Sequence, residues 1–264
     1  MGHSKHRLLT ALVVIAFVAS GLSALAVGSA QAAPAGRGAI LHSPFFGTTT
    51  ATSHNWAGYA IKTKNGAVTD VKGSWNVPQI AAVCPSAARY SAFWVGIDGD
   101  GSSTVEQTGT ATYCSGGAPV YFAWYEMYPN PYHTLSMTIS PTDVMHAEVK
   151  YSTSTGKFTL SMRDSSTGHS FSTTQSLGGA QRKSAEWIAE APTGGSGVLP
   201  LTNFGWVTFN NASATISGHT HSISGFSNIE ITMWNLANTK KMAVPNSLSN
   251  AGKTFKVTWK NKGP

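Results

Sequence analysis

The chain of 264 residues is charged at only 11% of its positions, and it contains 27 glycines and 12 prolines. This composition, rich in Ser, Thr, Gly and Asn, is typical of short strands and turns and argues against a helical protein. Basic residues outnumber acidic ones by 18 to 11. The excess is scattered, and its longest cluster, within residues 253–262, alternates with apolar residues as on a solvated strand face. Nucleic-acid binding is therefore not expected.

The N-terminus has the pattern of an export signal. A short basic stretch is followed by an apolar run over about residues 8–27 and by the small-residue motif Ala30-Gln31-Ala32. The run is rich in Ala, Ser and Gly and ends in that motif, which favours a cleaved signal peptide over a membrane anchor. We predict a signal peptide over residues 1–32, so that the mature protein is secreted, extracellular and free of the membrane.

The remaining chain divides at about residue 54. Residues 33–53 are rich in Gly, Pro, Thr and Ser without periodicity, which indicates a short propeptide or flexible leader. Residues 54–264 show apolar and polar alternation almost to the end, with turn signals between the runs. The simplest architecture is a single all-β domain, an antiparallel β-sandwich of two packed sheets of the jelly-roll or concanavalin-like kind, with one concave face as a cleft.

Cys84 and Cys114 are the only cysteines. An exported chain meets an oxidising compartment, so we predict a structural disulfide between them. His219 and His221 form an isolated pair with too few neighbouring ligands for zinc. The segment DGDGSS, residues 98–103, begins like a calcium loop but lacks the closing glutamate. No metal or cofactor is expected.

Alternation sorts the unusual side chains of the segment AFWVGIDG. Because successive strand residues point to opposite faces, Phe93, Val95 and Ile97 form a core face. Trp94 and Asp98 must then lie on the other face. An indole and a carboxyl on the side of a strand away from the core suggest a site rather than packing alone.

Three further segments place polar and aromatic side chains together by the same rule. The sets are Phe122, Trp124, Glu126 and Tyr128; Glu186, Ile188 and Glu190; and Val105, Gln107 and Gly109. Each acidic residue, taken alone, would be an ordinary exposed side chain on the protein surface. Carboxylates mixed with large aromatics on one face instead indicate a ligand groove. From the residues alone, sugar and peptide polymers are equal candidates for the ligand.

The residues on this face also limit the chemistry. The sequence contains no Gly-x-Ser-x-Gly motif, and thiol catalysis would require breaking the expected disulfide. A glutamate can act as a general base on water, and a glutamine amide can donate a hydrogen bond to an oxyanion. Gln107 could form such a pair with Glu186 or with Glu190.

Five segments carry a resemblance to a known family. They are NWAGY (55–59), FWVGIDGDG (93–101), VEQTGT (105–110), AWYEMYP (123–129) and AEWIAEAP (185–192). Together and in this order they resemble the glutamic peptidases, the eqolisins of family G1, as a bacterial-type secreted member. The resemblance implies a β-sandwich endopeptidase that hydrolyses peptide bonds at acidic pH. It also implies protein or peptide substrates and a reaction that needs no cofactor. We further expect a monomer.

The resemblance also assigns residues. It makes Gln107 the dyad glutamine that stabilises the oxyanion, and it favours Glu190 over Glu186 as the dyad base. Further residues are expected to line or support the cleft, namely Trp56, Trp94, Asp98, Trp124, Glu126, Tyr128 and Glu186. Fungal members carry acidic residues where this chain has Thr110, Ala111 and Phe122, which argues against an extreme acid preference here.

Two other functions fit the same face. A carbohydrate-binding module would use Trp94, Trp124 and Tyr128 as stacking platforms. A glycosidase would use two carboxylates, with Glu126 and Glu190 as the candidate pair. Only peptide hydrolysis by a dyad gives Gln107 a role, so this residue distinguishes the three hypotheses.

Overall fold

The computed structural model describes residues 50–264 and the two-residue strand Ile40–Leu41. The predicted signal peptide, residues 1–32, and most of the predicted leader lie outside the described residues. Within those residues, no helix is long and apolar enough to cross a membrane.

Nearly all regular structure in the described chain is β-strand, which confirms the predicted all-β class. The strands are β1 (Ile40–Leu41), β2 (Thr50–Ser53), β3 (Trp56–Lys62), β4 (Val68–Asn76), β5 (Arg89–Ile97), β6 (Val105–Cys114), β7 (Val120–Tyr128), β8 (His133–Thr138), β9 (Val144–Ser152), β10 (Lys157–Asp164), β11 (Ser170–Gln175), β12 (Ser184–Glu190), β13 (Thr193–Gly194), β14 (Gly197–Val198), β15 (Trp206–Ile216), β16 (His219–Ser222), β17 (Ile229–Trp234), β18 (Lys241–Pro245) and β19 (Phe255–Trp259). One short 3₁₀ helix spans Ile223–Gly225.

The strands form two packed sheets joined at one edge. The first sheet runs in the order β8-β7-β6-β5-β12-β3-β17. The second runs β11-β10-β9-β4-β15-β19. Strand β18 pairs with both β17 and β19 and so continues one sheet into the other. These pairings are antiparallel, and the two layers enclose one core, as predicted for a β-sandwich.

The core uses the alternation seen in the sequence. Phe93, Val95 and Ile97 are buried between the sheets, as expected. Two buried indoles also link the layers by hydrogen bonds. The Nε1 of Trp187 donates to the Lys72 carbonyl at 2.8 Å, and the Nε1 of Trp75 donates to Thr110 Oγ1 at 2.9 Å. A buried indole N–H needs such a partner, so these bonds fix the alignment of the layers.

Two features lie at the margins of the sandwich. The predicted disulfide between Cys84 and Cys114 is confirmed, with Cα atoms 5.2 Å apart. It joins the end of β6 to the segment that precedes β5. In addition, β2 pairs in parallel with β17, and its Ser53 is buried. Six residues of the predicted leader, Ile40–Leu41 and Thr50–Ser53, therefore belong to the sheet in the structure.

Candidate active site

The face of the first sheet that points away from the core carries a second apolar cluster, which we call the site face. Its large members are Trp56 on β3, Trp94 on β5, Trp124 on β7 and Ile188 on β12. The alternation predicted that the last three share a face, and the structure places them together. Trp94 is completely buried, and Trp124 is 6% exposed.

Gln107 lies in the middle of the site face. In the β6 register it stands opposite Glu126 on β7 and Gly96 on β5. Its Nε2 donates a hydrogen bond of 2.6 Å to Glu126 Oε2. Both side chains are almost fully buried. The short bond fixes the plane of the Gln107 amide, because a primary amide held at one N–H has little freedom to rotate.

Glu190 ends β12 on the same face, and its carboxyl is held from two sides. Trp94 Nε1 donates to Glu190 Oε2 at 2.7 Å, and Asn55 Nδ2 donates to Oε1 at 3.4 Å. Trp56 packs edge-on against Trp94, with ring centroids 5.0 Å apart. The carboxyl orientation is thus set by donors from other strands and the segment before β3.

Burial raises the pKa of Glu190 to about 7, although donors lower it in part, with Trp94 first, then Trp56 and Asn55. The Trp56 indole N–H thus lowers the pKa of Glu190, although its distance and angle to the carboxyl do not meet those of a hydrogen bond. Burial also raises the pKa of Glu126 to about 8, the charge of Glu190 raises it further, and the bond from Gln107 lowers it. This electrostatic contact between the two carboxyls connects Gln107, Glu126 and Glu190 in one site.

Glu186 lies at the other end of β12 in different surroundings. Its Oε1 accepts a hydrogen bond of 3.4 Å from the backbone N–H of Asp100, and the side chain is fully buried. Burial raises its pKa well above the ordinary value, the Ser184 hydroxyl lowers it, and the charges of Asp100 and Asp98 raise it. Among the described residues, no group of three or more His, Cys, Asp or Glu is placed to hold a metal ion.

Asp98 supports the chain segment before β12. It follows the end of β5 with a φ of 69°. Its carboxylate accepts backbone N–H bonds from Gln181 at 2.8 Å, Arg182 at 2.7 Å and Lys183 at 3.0 Å. These contacts position the start of β12, and Asp98 makes no hydrogen bond to Gln107 or Glu190. Its role in the structure is to brace a neighbouring strand.

Two aromatic residues flank Glu126 at the end of β7. Tyr128 is partly buried and packs on the site face, as its sequence parity predicted. Tyr132 in the following turn was not predicted. Burial, followed by the charge of Glu126, raises the pKa of Tyr132 to about 12. Asn55 was also not predicted as a site residue, although it lies in the NWAGY segment. Tyr132 could not be found from strand alternation, because it lies in a turn and turns do not alternate.

Two glycines make room for the indole of Trp94. A side chain at Gly96 would place its Cβ 2.9 Å from Trp94 Cζ3 and 3.2 Å from the Cβ of Gln107. At Gly109 a Cβ would overlap the Phe93 carbonyl oxygen and lie 2.6 Å from the Trp94 Cβ. The glycines allow β5 and β6 to approach and the Trp94 ring to lie across the sheet beside Gln107.

The outer face of the first sheet thus combines a buried glutamine, two buried carboxyls and several indoles, which makes it a candidate site of the glutamic-peptidase type. Residues 54–258 match the model of the Peptidase A4 family. The chain belongs to this family of glutamic peptidases, which are hydrolases acting on peptide bonds.

Individual relatives agree with this membership. The chain is 34% identical over 190 residues to aspergillopepsin-2 of Aspergillus niger, a match that covers 64% of this chain and 66% of that protein, just under two thirds of its length. Its structure is similar to scytalido-glutamic peptidase bound to a peptide-based transition-state analogue, with a TM-score of 0.64 and 27% identity, covering 78% of this chain and 98% of that one. The structure of aspergilloglutamic peptidase from Aspergillus niger gives a TM-score of 0.57 at 30% identity. The match covers 65% of this chain and 99% of that one.

Proposed function

We propose that this protein is a secreted, monomeric glutamic endopeptidase that cleaves protein or peptide substrates with Gln107 and Glu190. One observation carries the proposal. Five buried polar atoms on the site face have no hydrogen-bond partner in the described chain: Trp56 Nε1, Gln107 Oε1, Trp124 Nε1, Glu126 Oε1 and Tyr132 Oη. Buried polar groups are normally paired, so such a concentration on one face is suited to a polar ligand.

Family relatives support a peptide as that ligand. The scytalido-glutamic peptidase structure contains a peptide-based transition-state analogue, and the related SCP-B structure contains the tripeptide Ala-Ile-His. The sugar-binding alternative requires exposed stacking platforms. Trp94 is completely buried and Trp124 is 6% exposed, so neither ring offers a free face to a sugar.

Glu190 acts as the general base in the proposed reaction. Its carboxylate takes a proton from a water molecule, and the water oxygen attacks the scissile carbonyl carbon. The hydrogen bonds from Trp94 and Asn55 hold the Glu190 carboxylate in one orientation. When the tetrahedral intermediate collapses, the C–N bond breaks and the protonated Glu190 returns the proton to the leaving nitrogen.

Gln107 stabilises the oxyanion of that intermediate. Its amide has two N–H donors, and one of them is used by Glu126 at 2.6 Å. The second N–H is then held in a fixed direction for the developing negative charge. Because the donor is oriented before the reaction, its bond strengthens in the transition state without reorganisation. Glu126 is thus a positioning residue.

The two carboxyls set the pH range of the proposed reaction. Glu190 must be ionised, and burial raises its pKa to about 7, so activity falls as the pH drops below this region. Glu126 carries a proton up to a pKa of about 8; above it, a second negative charge would oppose oxyanion formation. The sequence resemblance implied acidic operation. The two values leave a window between about 7 and about 8, so we propose activity at near-neutral pH, with acid and alkaline limbs that belong to the pair of carboxyls and not to either one alone.

Turnover of an internally quenched peptide and of denatured casein between pH 3 and 9 tests the dyad. For Gln107→Ala we expect a loss of about 2.7–4 kcal/mol of transition-state stabilisation, roughly a hundredfold to a thousandfold in kcat. Circular dichroism must show that the variant is folded. Near wild-type turnover by folded Gln107→Ala would refute the mechanism, and hydrolysis of a polysaccharide without casein cleavage would favour the glycosidase hypothesis.

A further inference from the structure

Trp206 is an exposed tryptophan on the second sheet. It begins β15, and its side chain is 64% exposed. Along the same strand Val207 and Phe209 are buried in the core, so Trp206 and Thr208 point to the outside of the second sheet. An indole left in water gives no packing energy, and exposed large aromatics often mark binding surfaces.

A surface cavity of about 420 Å³ lies beside this indole. Its polar lining residues are Asn76, Gln79, Thr142 and Thr208, and Val77, Pro78 and Phe204 form the apolar side with Trp206. None of the lining side chains is ionisable. In a chain with 18 basic and 11 acidic residues, a cavity without charge favours a neutral ligand over an anion or a charged peptide.

Backbone hydrogen bonds hold the cavity walls in place. Thr142 N donates to the Val77 carbonyl at 2.8 Å, and Trp259 N donates to the Gly205 carbonyl at 2.9 Å. Gly205 N donates to Asn203 Oδ1 at 3.0 Å. The walls are therefore ordered before a ligand binds, which reduces the entropic cost of binding.

The strand pairing argues against a peptide in this cavity. An extended peptide usually adds to a sheet through a free strand edge. On one side Trp206 stands opposite Thr258 of β19, whereas the pairing of β15 with β4 on the other side begins only at Phe209. Beyond the end of β4, Val77 N donates to the Asp143 carbonyl at 2.9 Å. The Val77 carbonyl accepts from Thr142 N, and Pro78 has no N–H, so this wall offers no regular strand edge and its contacts are an indole face, amides and hydroxyls.

We propose that the Trp206 cavity binds a neutral polysaccharide. A pyranose ring packs the C–H bonds of one face on the indole, while its hydroxyls, each a donor and an acceptor, match the amides of Asn76 and Gln79 and the hydroxyl of Thr208. The cavity lies on the outside of the second sheet, and Gln107 lies on the outside of the first. A bound glycan therefore holds the enzyme on a polysaccharide matrix without occupying the catalytic face.

Binding of the full-length protein to microcrystalline cellulose, to chitin powder and, by affinity electrophoresis, to soluble xylan and mannan tests the proposal. We expect retention on at least one of these, a fall of about tenfold in affinity for Trp206→Ala, and substantial recovery for Trp206→Tyr. Leu236→Ala, which alters another exposed apolar side chain of 55% exposure, is the matched control and should bind like wild type. Turnover of a short soluble peptide should be the same in all four proteins.

Two results would overturn the proposal. The first is the absence of binding to all four glycans, or equal binding by Trp206→Ala and wild type. The second is a raised KM of Trp206→Ala on denatured casein with unchanged kinetics on the short peptide, which would make the cavity a polypeptide site. Because glycan retention is measured without catalysis, either result leaves the proposed dyad untouched.

Discussion

Glu186 and Glu190 share one face of β12, but they contact different groups. The Glu190 carboxyl accepts bonds from Trp94 and Asn55 and influences the pKa of Glu126. The Glu186 carboxyl instead accepts the backbone N–H of Asp100. A base must combine a fixed orientation with access to the oxyanion donor, and only Glu190 is connected through Glu126 to Gln107.

Matched substitutions at the two glutamates separate these roles. Glu190→Gln keeps the shape and removes the base, so we expect kcat to fall by about 10²- to 10⁴-fold. Glu186→Gln replaces a fully buried carboxyl whose raised pKa already favours the neutral form, so its effect on kcat should be much smaller. Single-turnover kinetics of both folded variants on one quenched peptide provide the comparison. An active Glu190→Gln enzyme beside an inactive Glu186→Gln enzyme would reverse the assignment.

At the scale of the strand, the spacing between β5 and β6 depends on Gly109. A methyl group there would overlap the Phe93 carbonyl oxygen and crowd the Trp94 Cβ, so the strands would have to separate. We expect Gly109→Ala to lower the free energy of unfolding by about 1–3 kcal/mol and to reduce turnover, because Trp94 orients Glu190.

Urea denaturation at one fixed pH measures this effect, with Gly178→Ala as the control. Gly178 has ordinary backbone geometry and nothing within 4 Å of an added Cβ. The control should keep wild-type stability and turnover. Equal stability of Gly109→Ala and wild type would show that β5 and β6 do not require the close approach.

Strand alternation predicted faces but not pairings. It placed Trp94 and Glu126 on one face and Phe93 in the core, because the period of two is a local property of the chain. It could not show that Gln107 stands opposite Glu126, because register depends on which strands meet. It also could not rank Glu186 against Glu190, since both have the same parity and differ only in distant partners.

Turns set another limit to the sequence reading. Asp98 lies beyond the end of β5 with a φ of 69°, so strand parity no longer determines its direction. Its bonds to the backbone of residues 181–183 join segments about eighty positions apart in sequence. Tyr132 lies in a turn as well, and its proximity to Glu126 follows from the path of the chain between β7 and β8.

At the scale of the whole molecule, neighbouring strands of the first sheet bury several carboxyls. Burial is the main cause that raises the pKa of Glu106, Glu126, Glu186 and Glu190. Glu106 lies in the interior, fully buried, and neither of its carboxyl oxygens has a hydrogen-bond partner in the described chain. For Asp164, burial raises the pKa, but bonds from Thr167 and Ser166 outweigh it and lower the pKa overall.

These carboxyls give stability a defined dependence on pH. A carboxyl whose pKa is raised in the folded state keeps its proton while the unfolded chain ionises, so its stabilising effect is complete below the ordinary value of 4.5 and is lost as the pH rises through the folded pKa. The loss of stability therefore continues up to a pH of about 7 for Glu190 and of about 8 for Glu126. Each tenfold difference in proton affinity contributes about 1.4 kcal/mol. Asp164 acts in the opposite sense, losing its contribution at low pH.

We therefore expect a protein that is most stable in weak acid and unfolds more readily as the pH rises from about 4.5 to 8. Urea unfolding at pH 4.5, 6 and 8 measures how the free energy of unfolding changes with pH. Glu106→Gln removes one interior carboxyl away from the site face, so it should reduce the loss of stability between pH 4.5 and 8 while the pH profile of kcat stays the same. Stability that increases over this range, or an unchanged slope in folded Glu106→Gln, would show that ionisation of the buried carboxyls does not govern unfolding.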